Sequence, residues 1–132
     1  MCIRDSKTRY TAVDGIAELK LAICDKFKKD NNISCTPDMV TVGTGGKQVL
    51  YNALMASINL GDEVVIPAPF WVSYPDIVLL AEGTPVIVKC GQNKNFKITA
   101  DALENAISDK TKWVILNSPS NPTCIGYTEA DI

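Results

Sequence analysis

The residues best suited to chemistry in this 132-residue sequence are a glycine turn, an indole and a carboxamide. Gly45, Gly46 and Lys47 stand between the β-branched run Val40-Thr-Val42 and a stretch that places Val49, Leu50, Ala53 and Leu54 on one helical face. Strand, glycine turn and helix in that order make an anion cradle. Glycine lets the backbone approach a ligand, and a helix start offers N–H groups without intrahelical acceptors at the positive end of its dipole. A phosphate is therefore expected at 45–47. Trp71 offers a flat face for stacking, and Asn121 an amide that donates to an oxygen. The set suits a planar, phosphorylated, heteroaromatic cofactor. Plainer roles compete: a turn that only joins two elements, an indole packed after a strand, and an Asx turn before Pro122.

Other chemistries are poorly served. A P-loop needs a glycine where Thr41 stands and a hydroxyl where Gln48 stands, so Mg²⁺ would lack its ligand. A dinucleotide fingerprint starting at Gly43 and Gly45 also breaks at Gln48, although Asp62 and Glu63 lie near the ribose-binding spacing. There is no histidine, which excludes a Ser-His-Asp triad, a Cys-His dyad and His-ligated metal within the chain; no metal site is expected. The five cysteines (Cys2, Cys24, Cys35, Cys90, Cys124) form no Cys-x-x-Cys pair, and their odd number suggests a reducing, cytoplasmic setting. A net charge of −2 gives no electrostatic case for nucleic acid or anionic membrane. No apolar run reaches the roughly 18–20 residues that span a bilayer, and no secretory signal is recognisable at 1–6.

With 46% hydrophobic residues the chain is expected to bury a core as one globular unit. Residues 1–9 look ragged or foreign, and 10–132 show no internal boundary. Asp14 is expected to cap a helix with Ile16, Leu19, Ile23 and Phe27 on its apolar stripe. Strands are predicted at 63–67, 85–89 and 112–117, with helices at 76–82 and after a Thr99 cap. Residues 67–75 carry too many prolines for a strand or helix interior. Alternating strands and helices with long connections predict a parallel sheet in three α/β/α layers. Ligands of such sheets bind beyond the strands' carboxyl ends. Three of those ends carry Gly45-Gly-Lys47, Phe70-Trp71 and Asn117-Ser-Pro-Ser-Asn-Pro-Thr123. Thr128 and Asp131 form a capping box so close to Ile132 that the helix would lack two turns, and continuation of the chain is expected.

Four motifs in order, Tyr10-Thr-x-x-x-Gly-Ile16 with Glu18-Leu19, Gly45-Gly-Lys-Gln-x-Leu-Tyr-Asn52, Pro69-Phe-Trp-Val-Ser-Tyr-Pro75 and Asn117-Ser-Pro-Ser-Asn-Pro-Thr123, resemble the class I aminotransferases. The similarity is to the bacterial aspartate aminotransferase branch of the fold-type I pyridoxal-phosphate enzymes, and it runs from about Lys7 to Ile132, the first half of that family's large domain. The resemblance implies pyridoxal 5'-phosphate as cofactor, with its phosphate on Gly45, Gly46 and Lys47. It implies that Trp71 stacks on the pyridine ring and faces substrate. Asn121 would bond the cofactor's phenolic oxygen near the substrate. Tyr10 would reach the phosphate of a neighbouring subunit, hence a homodimer with shared sites. Substrates would be an amino acid, aspartate, and a 2-oxo acid, 2-oxoglutarate. The Schiff-base lysine is expected downstream, so no catalytic residue is assigned here and these residues alone should be inactive. The family's Asn-Pro-Thr-Gly reads Asn-Pro-Thr-Cys124 here; a glycine at positive φ would make that Cβ costly. Two relatives in fold stay open: a carbon–sulfur lyase, and the aminotransferase-like domain of a transcription regulator.

Overall fold

The computed structural model describes residues 8–132, so most of the ragged segment expected at 1–9 lies outside the described residues. Chain contacts divide it into two compact units, one ending at Val49 and one running from Leu50 to Ile132. In the first, α1 spans Ala17–Asn31 and ends on Asn32 in the left-handed conformation (φ 55°). Its cap differs from the expected one: Ile16 holds the N-cap position without a side-chain bond. Asp14 is instead paired with the Lys20 ammonium, which holds its carboxyl below the usual range. Lys20 and Cys24 are the buried residues of α1, while Ile16, Leu19 and Phe27 are exposed.

The extended run at 40–42 forms no strand. A strand requires a ladder, and here the Val42 N–H donates to the Asp14 carbonyl (2.9 Å) in a single loop-to-loop bond. The segment still delivers the chain to α2, Gly46–Ser57, whose later residues belong to the second unit.

In that unit β1 (Glu63–Ala68) lies between β2 (Thr84–Lys89) and β3 (Thr111–Val114), all parallel. Val64, Val65 and Ile66 are fully buried, as expected for a central parallel strand covered on both faces. Side chains alternate along a strand. Val64 and Ile66 join Leu54 and Ile58 from the end of α2 and its exit, and Tyr74, Ile77 and Val78 of α3 (Ser73–Leu80). Val65 faces the other way with its register partner Val114. There Val114 and Leu116 line a cleft with Leu103 of α4 (Ala100–Glu104). Helices thus pack on one face and border the other, and the parallel sheet with its helices is the expected α/β class. Each fully buried valine, leucine or isoleucine contributes about 1.5–3 kcal/mol. The Trp113 indole N–H donates to the Ser57 hydroxyl (2.8 Å), tying β3 to the end of α2.

Element boundaries shift in three places. β1 runs one residue past the predicted 63–67, to Ala68, because Ala68 pairs with Lys89 of β2. The helix predicted at 76–82 starts earlier, at Ser73, with Pro75 inside its first turn, where proline costs no hydrogen bond. It ends with Glu82 in the left-handed region (φ 63°); at Gly83 a Cβ would stand 2.9 Å from Ile58 Cγ2. β3 ends at Val114, although the Ile115 N–H still donates to the Val65 carbonyl (3.0 Å). Thr99 caps α4 as expected, accepting from the Ala102 N–H (3.2 Å). Among the described residues no helix is long and apolar enough to cross a membrane.

Candidate cofactor site

The head of α2 starts at Gly45, whose carbonyl accepts the Val49 N–H (3.2 Å). The first-turn N–H groups that follow have no intrahelical acceptor. The helix is 12 residues long and has no acid in its first turn, so its dipole meets no local negative charge. A Cβ built on Gly46 meets no atom within 4 Å. Gly45, Gly46 and Lys47 are exposed. Open backbone, a helix dipole and a nearby lysine fit a phosphate group.

In the second unit the carboxyl ends of β1 and β3 share a narrow cleft lined by Phe70, Tyr74, Asn117, Ser120, Lys97 and Tyr127, among others. Of the predicted strand-end residues, Phe70, Asn117 and Ser120 meet there. Trp71 and Asn121 do not line it. Trp71 is partly buried and meets the Tyr74 ring edge-on, 5.5 Å between centroids and 88° between planes. Asn121 is exposed, on a loop closed by two backbone bonds: Cys124 N–H to Ser120 O (2.7 Å) and Ser120 N–H to Ile125 O (2.9 Å). The peptides before Pro69, Pro119 and Pro122 are cis. Cys124 has φ 59°, so the position where the family motif has glycine is in the left-handed region. Tyr10, in the first unit, is fully exposed.

Motif reading missed Tyr127 and Lys97. The Tyr127 hydroxyl accepts the Ile98 N–H (2.9 Å), and its own N–H donates to the Ser118 hydroxyl (2.9 Å). The Lys97 ammonium lies 5.8 Å from the Tyr127 ring centre and pairs with Asp131 at 2.6 Å. These contacts brace the loop that displays Asn121. Tyr127 directly precedes the Thr128 capping box, the one local signal that this turn is fixed. Cys24, Cys35, Cys90 and Cys124 are free thiols, and burial pushes Cys90 up from its ordinary value.

A family profile described as aminotransferase class I and II matches residues 3–132. The aspartate/prephenate aminotransferase of Cereibacter sphaeroides is 64% identical over 126 residues, covering 96% of this chain and 32% of that one. The crystal structure of the aspartate aminotransferase from Rhizobium meliloti superposes with a TM-score of 0.95 at 51% identity, over 98% of this chain and 32% of that one. The aspartate aminotransferase from Thermus thermophilus with maleate gives 0.88 at 39% identity, over 92% and 32%. The chain therefore spans about a third of the length of these relatives. Its fold, its four motifs and the profile match agree: this chain belongs to the class I and II aminotransferases.

Proposed function

We propose that the whole protein is a pyridoxal-phosphate-dependent aminotransferase that moves an amino group from aspartate to a 2-oxo acid, with residues 10–132 forming part of its cofactor-binding domain. The observation that carries this reading is the open glycine head of α2, free of acidic residues, in a chain of this family. Bound pyridoxal phosphate supplies the electron sink for chemistry at the amino-acid carbon. The chain's own residues hold it. Gly45, Gly46 and Lys47 anchor the phosphate, Trp71 sets the plane of the ring and faces substrate, and Asn121 donates to the phenolic oxygen near the substrate.

The covalent lysine is assigned to no residue among these 132. Tyr10 reaches the phosphate of a second subunit in a homodimer with shared sites; its full exposure supports that role. The free thiols support a reducing, cytoplasmic setting.

The name of the Cereibacter relative supports aspartate as donor and adds prephenate to 2-oxoglutarate as an acceptor. The maleate in the Thermus structure's name, a dicarboxylate, supports a site that takes two carboxylates. The test pairs aspartate with each acceptor, using the whole protein. Turnover is expected with both; turnover with 2-oxoglutarate alone would remove prephenate. Gly46→Val should release cofactor on dialysis that the parent retains, because its side chain fills the open space over the turn. Equal retention would remove the phosphate from 45–47.

A further inference from the structure

The side chain of Gln48 grips the turn before α2 from behind. Its Oε1 accepts two hydrogen bonds from one residue, the Thr44 N–H (2.6 Å) and the Thr44 hydroxyl (2.9 Å). A glutamine three residues past a helix cap ordinarily accepts from the cap's own N–H. Here the cap position is Gly45, and Gln48 reaches one residue further back. Gly43 sits against the same clasp: a Cβ there would stand 2.8 Å from Val49 Cγ2, the tighter contact, and 3.1 Å from Gln48 Oε1. At Gly45 and Gly46 the added Cβ meets nothing. One side of the turn is filled by Gln48, and the other is open.

We propose that Gln48 is the positioning residue of the phosphate cradle, and that its neutrality sets the cradle's preference for an anionic ligand. The inference rests on the cofactor reading above and deepens it. Gln48 lies in the first turn of α2, the turn proposed to receive the phosphate. A glutamate would make the same two bonds to Thr44 and would interact favourably with the helix dipole. It would also set a negative charge in the same helix turn as a phosphate dianion, and like charges repel. Glutamine supplies the acceptor without the charge. This identifies a physical role for the residue that breaks both the P-loop and the dinucleotide patterns.

The test measures, on the apo form of the whole protein, dissociation constants for pyridoxal phosphate and for pyridoxal, which keeps the ring and aldehyde and lacks the phosphate. Their ratio reports the cradle alone. Gln48→Glu is expected to lower the preference for the phosphorylated form by on the order of tenfold or more, with pyridoxal affinity and melting temperature held. Gln48→Met, which removes the acceptor, should lower the ratio as well. An unchanged ratio in both variants would overturn the proposal, as would an equal loss for both ligands accompanied by a lower melting temperature. If Gly46→Val lowers the ratio and the Gln48 variants do not, the cradle stands and the role of Gln48 falls. If the parent protein shows no preference for the phosphorylated ligand, the cofactor reading falls and this inference with it.

Discussion

Cys124 places a Cβ on a left-handed backbone position (φ 59°), and its exposed thiol makes a long contact, 4.0 Å to the Pro122 carbonyl. A non-glycine residue there costs about 1–2 kcal/mol, and glycine returns about 0.4–1 kcal/mol through the entropy of the unfolded chain. Cys124→Gly is therefore expected to stabilise the whole protein by about 0.5–1 kcal/mol, read as a higher urea midpoint at unchanged slope. A lower midpoint would show that the thiol makes a contact worth more than the strain. At this scale the sequence exposed the departure, because the motif around Asn121 is contiguous. It could not expose the clasp of Gln48 on Thr44: glutamine at that position registered as the break in the P-loop and dinucleotide patterns and as one letter of a family motif. Nor did Trp71 declare its contact with Tyr74, since aromatic residues three apart gain meaning only once α3 is known to begin at Ser73.

Among the elements, the turn at Glu129–Asp131 is the one held most visibly by charge. Its capping box is complete, and the same Asp131 oxygen accepts from the Thr128 N–H (2.7 Å), the Thr128 hydroxyl (2.7 Å) and the Lys97 ammonium (2.6 Å). The bond from Lys97, followed by those from Thr128, holds the Asp131 carboxyl down at about 2. An unfolded aspartate titrates near ~3.9. The folded value is the lower one, so the stabilisation is fully present above pH ~4 and is lost as pH falls towards 2. The stability difference between the parent and Asp131→Asn should be flat from neutral pH to about 5 and shrink below about 4. A difference independent of pH would mean that the carboxylate's charge is irrelevant. The box was legible because its partners are three residues apart; Lys97 was not, being 34 positions away. α1 shows the converse. Its apolar periodicity gave the helix, and the buried Lys20 lay hidden in that pattern because its partner Asp14 sits outside the helix.

At the scale of the molecule, the parallel pairing of the strands followed from the alternation of strand and helix, and the continuous burial of 64–66 from an unbroken β-branched run; the order β2-β1-β3 did not, since alternation leaves it open. What lay beyond reach was which apolar residues stay uncovered. Leu60, Val72, Leu79, Leu80, Ile107 and Leu116 are exposed, and among the described residues neither β2 nor β3 has a strand on its outer side. Exposed apolar surface and open strand edges favour association. These 132 residues expressed alone are expected to self-associate, read as a mass above the monomer in light scattering; a monodisperse monomer with a cooperative melt would refute this. The central claim concerns the fate of nitrogen. The whole protein should be given ¹⁵N-labelled aspartate and unlabelled 2-oxoglutarate, and the products followed by NMR. The account predicts that the label appears in the amino group of glutamate; label released as ammonium, or left entirely in aspartate, would contradict it.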